Sequence, residues 1–246
     1  MRKIVYLLFA VLLCSSCSGL KELQTSFRQF GANLEYVHDR PISGCLKKDS
    51  VVIMMHDYLI DGKTTVRKGS MLILPFLFFN YFEQNYWITL GQEALNNRYD
   101  DFFNANLTEE CHRNGCFNLA SVISNDSTYT LEIGVDTCYT RAKYKRFSSF
   151  VYFGYGYSSF NDEYGKTPKT TLKVSAVLRQ AGNVIFRKQY VSENSISRGI
   201  EGGQGKNDPR GILIRSMTGS LSLSTKQCIE EIVTDINKAL LLNTKQ

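Results

Sequence analysis

Apolar and polar positions change rhythm several times along this chain, and each rhythm predicts an element. Residues 4–13 are an unbroken apolar run, and residues 21–30 suit a short helix that His38-Asp39-Arg40-Pro41 and Ser43-Gly44 break. Residues 51–60 read as a strand, with Asp61-Gly62 as its turn. Residues 71–79 form a longer apolar run, enough for a buried strand. Pro75 inside it cannot donate a ladder hydrogen bond and so marks a strand end or an edge.

Thr89-Leu90-Gly91-Gln92 has the form of a capping box, and Leu95, Tyr99, Phe102 and Phe103 follow at helical spacing, which predicts a helix over 90–104. Residues 108–114 add a short helical turn that Gly115 stops in the left-handed conformation. Residues 117–124 read as a strand, 125–127 as a turn, and Leu131, Ile133 and Val135 begin a half-buried strand that runs on toward Tyr144. Leu172, Val174, Ala176 and Leu178 alternate in the same way; Ala181-Gly182-Asn183 turns, and 184–191 return as the second strand of an antiparallel hairpin. Residues 192–211 make a glycine-rich loop. Ile229, Ile232, Val233, Ile236 and Leu240 form one apolar stripe of a C-terminal helix. That helix starts at the capping pattern Ser224-Thr225-Lys226-Gln227 or earlier, at Asp208-Pro209. Together these elements predict an α+β domain over 49–246, a mainly antiparallel sheet with one face covered by two helices.

The N-terminus carries a separate message. Arg2 and Lys3 precede the apolar run, and Ser15, Ser16 and Cys17 follow it, the three-part layout of an export signal. The run is shorter than the roughly 20 residues that span a bilayer. Leu13-Cys14-Ser15-Ser16-Cys17 resembles the lipobox of bacterial lipoproteins, with Cys14 standing where an apolar residue, usually Leu, is found. The resemblance implies cleavage after residue 16 and lipid on the Cys17 thiol. Several acyl chains anchor a protein durably where one holds it only marginally. Residues 1–16 are then the signal peptide and 17–48 a tether and lead-in. Ser18, where an Asp would retain a lipoprotein at the inner membrane, points to the outer membrane. With only Glu22 acidic nearby, the periplasmic side is expected ahead of the cell surface.

Charge and cysteines narrow the picture further. The chain carries +6, and losing Arg2 and Lys3 with the signal leaves +4, spread along the sequence. That excludes a strongly basic nucleic-acid binder. Beyond Cys14 and Cys17 stand Cys45, Cys111, Cys116, Cys138 and Cys228, an odd set that leaves at least one thiol unpaired within a monomer. Cys111 and Cys116 do not have zinc-ribbon spacing, and as diagonal hairpin neighbours they would sit beyond disulfide reach.

Catalytic patterns are missing from the sequence. His38, His56 and His112 read as surface or packing residues, and His56-Asp57 as strand neighbours facing opposite ways. Gly202-Gly203-Gln204-Gly205-Lys206 lacks phosphate-loop spacing and reads as a connector, so no nucleotide is expected. Asp100-Asp101 and Asp162-Glu163 read as solvated pairs. No metal and no other cofactor is called for. The order of Leu74-Pro75-Phe76, a helix, a glycine stop, Phe117, Tyr129-Thr130-Leu131-Glu132-Ile133, the Gly182 hairpin and a terminal helix resembles the auxiliary lipoproteins of envelope ABC-type transporters over 50–243. That resemblance implies a non-enzymatic accessory protein, held on a membrane through Cys17 and bound to an envelope protein partner. A glycan- or surface-binding module is the alternative, and a hydrolase stands third.

The most unusual stretch is 150–164. It holds Phe150, Tyr152, Phe153, Tyr155, Tyr157, Phe160 and Tyr164 around Gly154 and Gly156, and it reads as the end of a long hairpin. Its rings either pack on the domain's own sheet or stay exposed; Tyr152, Tyr155, Tyr157 and Phe160 are the candidate interaction surface.

Overall fold

One strand organises the molecule. The alternation that begins at Tyr129 does not stop near Tyr144 but continues to Phe153, giving β5 (Tyr129–Phe153), 25 residues long. The other strands are β1 (Asp49–Met55), β2 (Lys63–Leu74), β3 (Phe79–Thr89), β4 (Phe117–Leu119), β6 (Gly156–Gly165), β7 (Lys169–Gln180) and β8 (Asn183–Ser195). The two long helices are α1 (Tyr99–Asn114) and α2 (Pro209–Asn243). The structure, a computed structural model, describes residues 25–27, 30–39, 47, 49–74, 79–123, 128–153, 156–195 and 208–243. The signal segment, Cys17, Cys45, Pro75, the 125–127 turn, Tyr155 and residues 196–207 of the glycine-rich loop lie outside them.

Each edge of β5 serves two partners in succession. On one edge β1 pairs with its first residues and β3 with its last. On the other, β7 pairs with residues 129–141 and β6 with 144–153. Pro168, which has no N–H to donate, lies between β6 and β7 and separates them into two strands. The sheet is mixed rather than wholly antiparallel, because β1 runs parallel to both β4 and β5. A bulge between Val135 and Thr137 resets the alternation, so Leu131, Ile133 and Val135 before it and Cys138, Ala142 and Tyr144 after it all face the core.

The helices cover the first half of this sheet, as the α+β reading requires. Tyr99, Phe103 and Leu107 of α1 and Leu213, Leu221, Ile229, Ile232 and Ile236 of α2 are fully buried. Against them stand Leu172, Val174, Ala176 and Leu178 of β7. The terminal apolar stripe is thus core, while the capping pattern at Ser224 is interior to α2. Its hydroxyls bond neighbouring elements instead: Asn194 Nδ2 of β8 donates to Ser224 Oγ at 3.0 Å, and Thr225 Oγ1 pairs with Tyr99 Oη of α1 at 3.0 Å. The true cap is Asp208, whose carboxylate accepts the N–H groups of Arg210 and Gly211. The predicted loop therefore gives up Ser192–Ser195 to β8 and Pro209–Gly211 to α2.

Five other expectations need correction. The run over 71–79 is two strands, β2 and β3, paired antiparallel with Leu74 opposite Phe79. The 51–60 strand ends at Met55, and the 117–124 strand at Leu119. The helix expected over 90–104 begins at Tyr99, because Thr89 is still in β3 and the Leu90 N–H is bonded to the Thr140 carbonyl at 2.9 Å. Gln92 nevertheless caps it from a distance, accepting the Tyr99 N–H at 3.1 Å. Gly115 ends α1 in an extended conformation, φ −75° and ψ 134°, not a left-handed one. Glycine is required there because a Cβ would press on the Cys111 carbonyl oxygen, which accepts the Gly115 N–H at 2.9 Å.

Part of the lead-in is built into the body. Residues 25–27 form a helical turn whose Phe27 is buried. Ala32 bridges to Leu95, the Glu35 N–H reaches Ser222 Oγ at 3.0 Å, and Asp39 meets Lys226 Nζ at 2.7 Å.

Candidate functional site

Beyond Arg141 the sheet continues as a four-stranded arm, β2–β3–β5–β6. One face of its root is covered: Tyr86 and Tyr144 are buried there, Leu213 packs where a Gly165 side chain would begin, and Arg210 pairs with Glu163 at 2.9 Å. The opposite face carries alternate residues of the same strands. In successive rows it presents Trp87 and Lys143; Asn85, Lys145 and Tyr164; Glu83, Phe147 and Asp162; Leu72, Tyr81, Ser149 and Phe160.

Near the root this face is cationic and aromatic. The Arg141 guanidinium lies 3.8 Å from the Trp87 ring centroid and Lys143 Nζ lies 4.7 Å from it, both within cation–π range. Lys145 Nζ sits 5.6 Å from the Tyr164 ring. Trp87, Lys143, Lys145, Tyr164 and Lys166 line one depression. Glu83 is the acid nearest to it, and its hydrogen bonds from Lys145, Tyr81 and Asn85 hold its carboxyl down at about 2, so it remains ionised. Among the described residues Arg141 Nε is buried without a hydrogen-bond partner. Farther out the surface turns apolar, with Leu72 49% and Phe160 48% exposed. The site offers amines and a guanidinium for anions, and rings for apolar or planar groups.

The sequence expectations fall out unevenly here. Phe160 is exposed on this face. Tyr152 and Tyr157 are direct partners in the β5–β6 ladder at the arm's end, and their side chains, like all of Tyr155, lie outside the described residues. The cationic depression was not anticipated, although Arg141-Ala142-Lys143-Tyr144-Lys145 carries its signal. Cations at every second position of a strand share a face once the strand is followed past Tyr144.

The other candidates stay apart. His56 and Asp57 lie just past the end of β1 and are exposed, as is His112. His38 Nδ1 stands 3.0 Å from Glu110 Oε2, a carboxylate buried under Tyr36 and Asn114, which pins the lead-in to α1. Asp100 pairs with Arg98, and Glu163 with Arg210 and Arg146, so neither is a simple solvated carboxylate. Cys111, Cys116, Cys138 and Cys228 are free thiols, and burial pushes Cys111, Cys138 and Cys228 up to about 12, leaving them protonated. Among the described residues no three His, Cys, Asp or Glu side chains gather as metal ligands would, and no helix is long and apolar enough to cross a membrane.

No family model matches the sequence, and no curated protein matches it. The fold is similar to the crystal structure of protein XCC0632 from Xanthomonas campestris, of family-model DUF330, with a TM-score of 0.48 and 11% identity over 87% of this chain and 98% of that one.

Proposed function

We propose that this protein is a lipid-anchored, non-enzymatic accessory component of a cell-envelope assembly, serving transport or maintenance of the outer membrane. The observation that carries the reading is the N-terminal series Arg2-Lys3, the apolar run 4–13 and Ser15-Ser16-Cys17. The way the chain enters its fold supports it. Thr25 follows Cys17 by only eight residues, and Phe27 already belongs to the core. A body tied so closely to an acylated cysteine works at a membrane surface, where an exposed aromatic and cationic face can meet its partners. In this reading Ser18 directs the protein to the outer membrane, facing the periplasm.

Intact-mass analysis of the exported protein tests the anchor: a chain starting at Cys17 with diacylglyceryl and acyl mass is expected, and Cys17→Ser should leave it unprocessed or soluble. In-cell crosslinking, detergent extraction and pull-down test the accessory role, with membrane proteins of one envelope assembly as the expected catch. A mature chain that starts elsewhere without lipid overturns the anchor. Binding on a polysaccharide array with no captured envelope protein moves the assignment to a glycan-binding module.

A further inference from the structure

We propose that the helix-free face of the β2–β3–β5–β6 arm docks on an anionic lipid surface, that of the bilayer leaflet holding the acyl chains of Cys17. The inference rests on the lipid-anchor reading above and adds an orientation to it.

Chain length sets the first constraint. Eight residues, fully extended, reach at most about 29 Å. Thr25, where that reach ends, opens the helical turn whose Phe27 packs on Tyr144 and whose Ser26 Oγ accepts a hydrogen bond from Arg210 at 3.2 Å. Tyr144 is the root of the arm, and from Tyr144 to Phe153 the arm extends about 30 Å at the usual strand rise. A membrane that holds Cys17 therefore lies within about one arm's length of Thr25, in the helical turn seated beside the arm's root.

The second constraint is the distribution of chemistry along the face. Leu72, Tyr81, Phe147 and Phe160 supply apolar bodies toward the end of the arm, with the rings of Tyr81 and Phe147 6.3 Å apart. Trp87 and Tyr164 follow, the residue types that settle at a headgroup boundary. Arg141, Lys143, Lys145 and Lys166 surround them, against Glu83 and Asp162, so the face is net cationic. Anionic headgroups attract such a group of cations, while the rings enter the boundary between headgroups and acyl chains. Lys143 and Lys166 line the depression beside Trp87 and Tyr164 and would meet a lipid phosphate there, while the Lys145 amine is held by Glu83 at 2.8 Å.

The chain has a single tryptophan, Trp87, placed at the root of this face among its cations, so its own fluorescence reports docking of that end. Mature lipidated protein, verified by intact mass, is reconstituted into vesicles of phosphatidylglycerol and phosphatidylcholine brominated on its acyl chains. Docking predicts quenching and a blue shift of Trp87 emission. It also predicts loss of both when phosphatidylglycerol is left out, and in a Lys143→Glu/Lys166→Glu variant that keeps the parent melting temperature. Phe160→Ser should weaken the quenching, and Thr234→Ser, on the outer side of α2, should not. Protein that floats with the vesicles while Trp87 stays unquenched keeps the anchor and overturns the docking face. Unquenched Trp87 together with concentration-dependent dimers assigns the face to a second copy of the chain. Equal quenching in neutral vesicles overturns the anionic part. A mature chain without lipid on Cys17 overturns both the anchor and the orientation built on it.

Discussion

The ring of Phe27 stands edge-on to that of Tyr144, with centroids 5.7 Å apart and planes at 89°. It joins the lead-in to the middle of the longest strand, at the point where the helix-covered sheet becomes the arm. Phe27 is buried, so Phe27→Ala removes most of a ring from an interior contact. We expect a loss of about 3 kcal/mol, within the usual range for such a truncation. Urea unfolding of the two proteins measures it, and an unchanged midpoint would mean that the lead-in contributes nothing to the body.

The root of the arm is also held by charge. Glu163 is buried enough to oppose its own ionisation, but Arg210, Tyr144 and Arg146 more than compensate and leave its carboxyl below the ordinary glutamate value. A carboxyl lowered in the folded state stabilises at pH above the unfolded value and loses that contribution as pH falls through the folded one. The wild type should thus lose melting temperature as pH drops below about 4.5, and Glu163→Gln should flatten part of that slope. Near neutrality the variant should lose about 2 kcal/mol, the scale of a hydrogen-bonded charge pair. Melting curves at several pH values decide it; parallel slopes would reject the role.

How much of this was legible beforehand depends on what each residue's neighbours are. The β7–β8 hairpin and the buried stripe of α2 follow from local alternation, because burial there repeats at the period of a single element. The Ser224-Thr225-Lys226-Gln227 pattern misleads because its hydroxyls bond Asn194 and Tyr99, partners distant in sequence. Thr89 misleads in the same way, held in a strand by β5. The length of β5 was hidden by its bulge, which interrupts the alternation near Asp136. The cationic face followed from that length and was lost with it. Phe160, one of the rings for which packing and exposure both stood open, is exposed, whereas its company of Trp87, Lys143 and Lys145 depends on strand pairing that only the fold supplies.

Gly115 makes a sharper test of local geometry. Its conformation is open to any residue, so the usual argument from left-handed backbone does not apply. The obstacle is the Cys111 carbonyl oxygen, a backbone atom that cannot swing aside, and the added Cβ would also stand 3.1 Å from the Phe117 ring. Gly115→Ala should cost about 2 kcal/mol through displacement of the last turn of α1. Gly182→Ala offers the contrast, since it has φ +83° and open space around it. Its cost would come from backbone strain alone, about 1 kcal/mol. Denaturant midpoints compare the two, and a neutral Gly115→Ala would refute the close-contact account.

Ile232 tests whether α2 closes the core. Its side chain is fully buried, on the same stripe as Ile229, Val233 and Ile236, whereas Thr234 two positions on is exposed. Ile232→Asp would place a carboxylate among apolar side chains with no designed partner. The group must either stay neutral at the cost of its shifted protonation or open the helix to water. Either route should remove more than about 4 kcal/mol, a large part of the stability of a domain this size. Thr234→Asp introduces the same carboxylate on the same helix and should change stability by less than about 0.5 kcal/mol. The pair separates burial from helix propensity, because the new residue is identical in both. Equal melting temperatures for the two variants would show that the stripe is not core, and would move α2 from the fold's interior to a surface awaiting a partner.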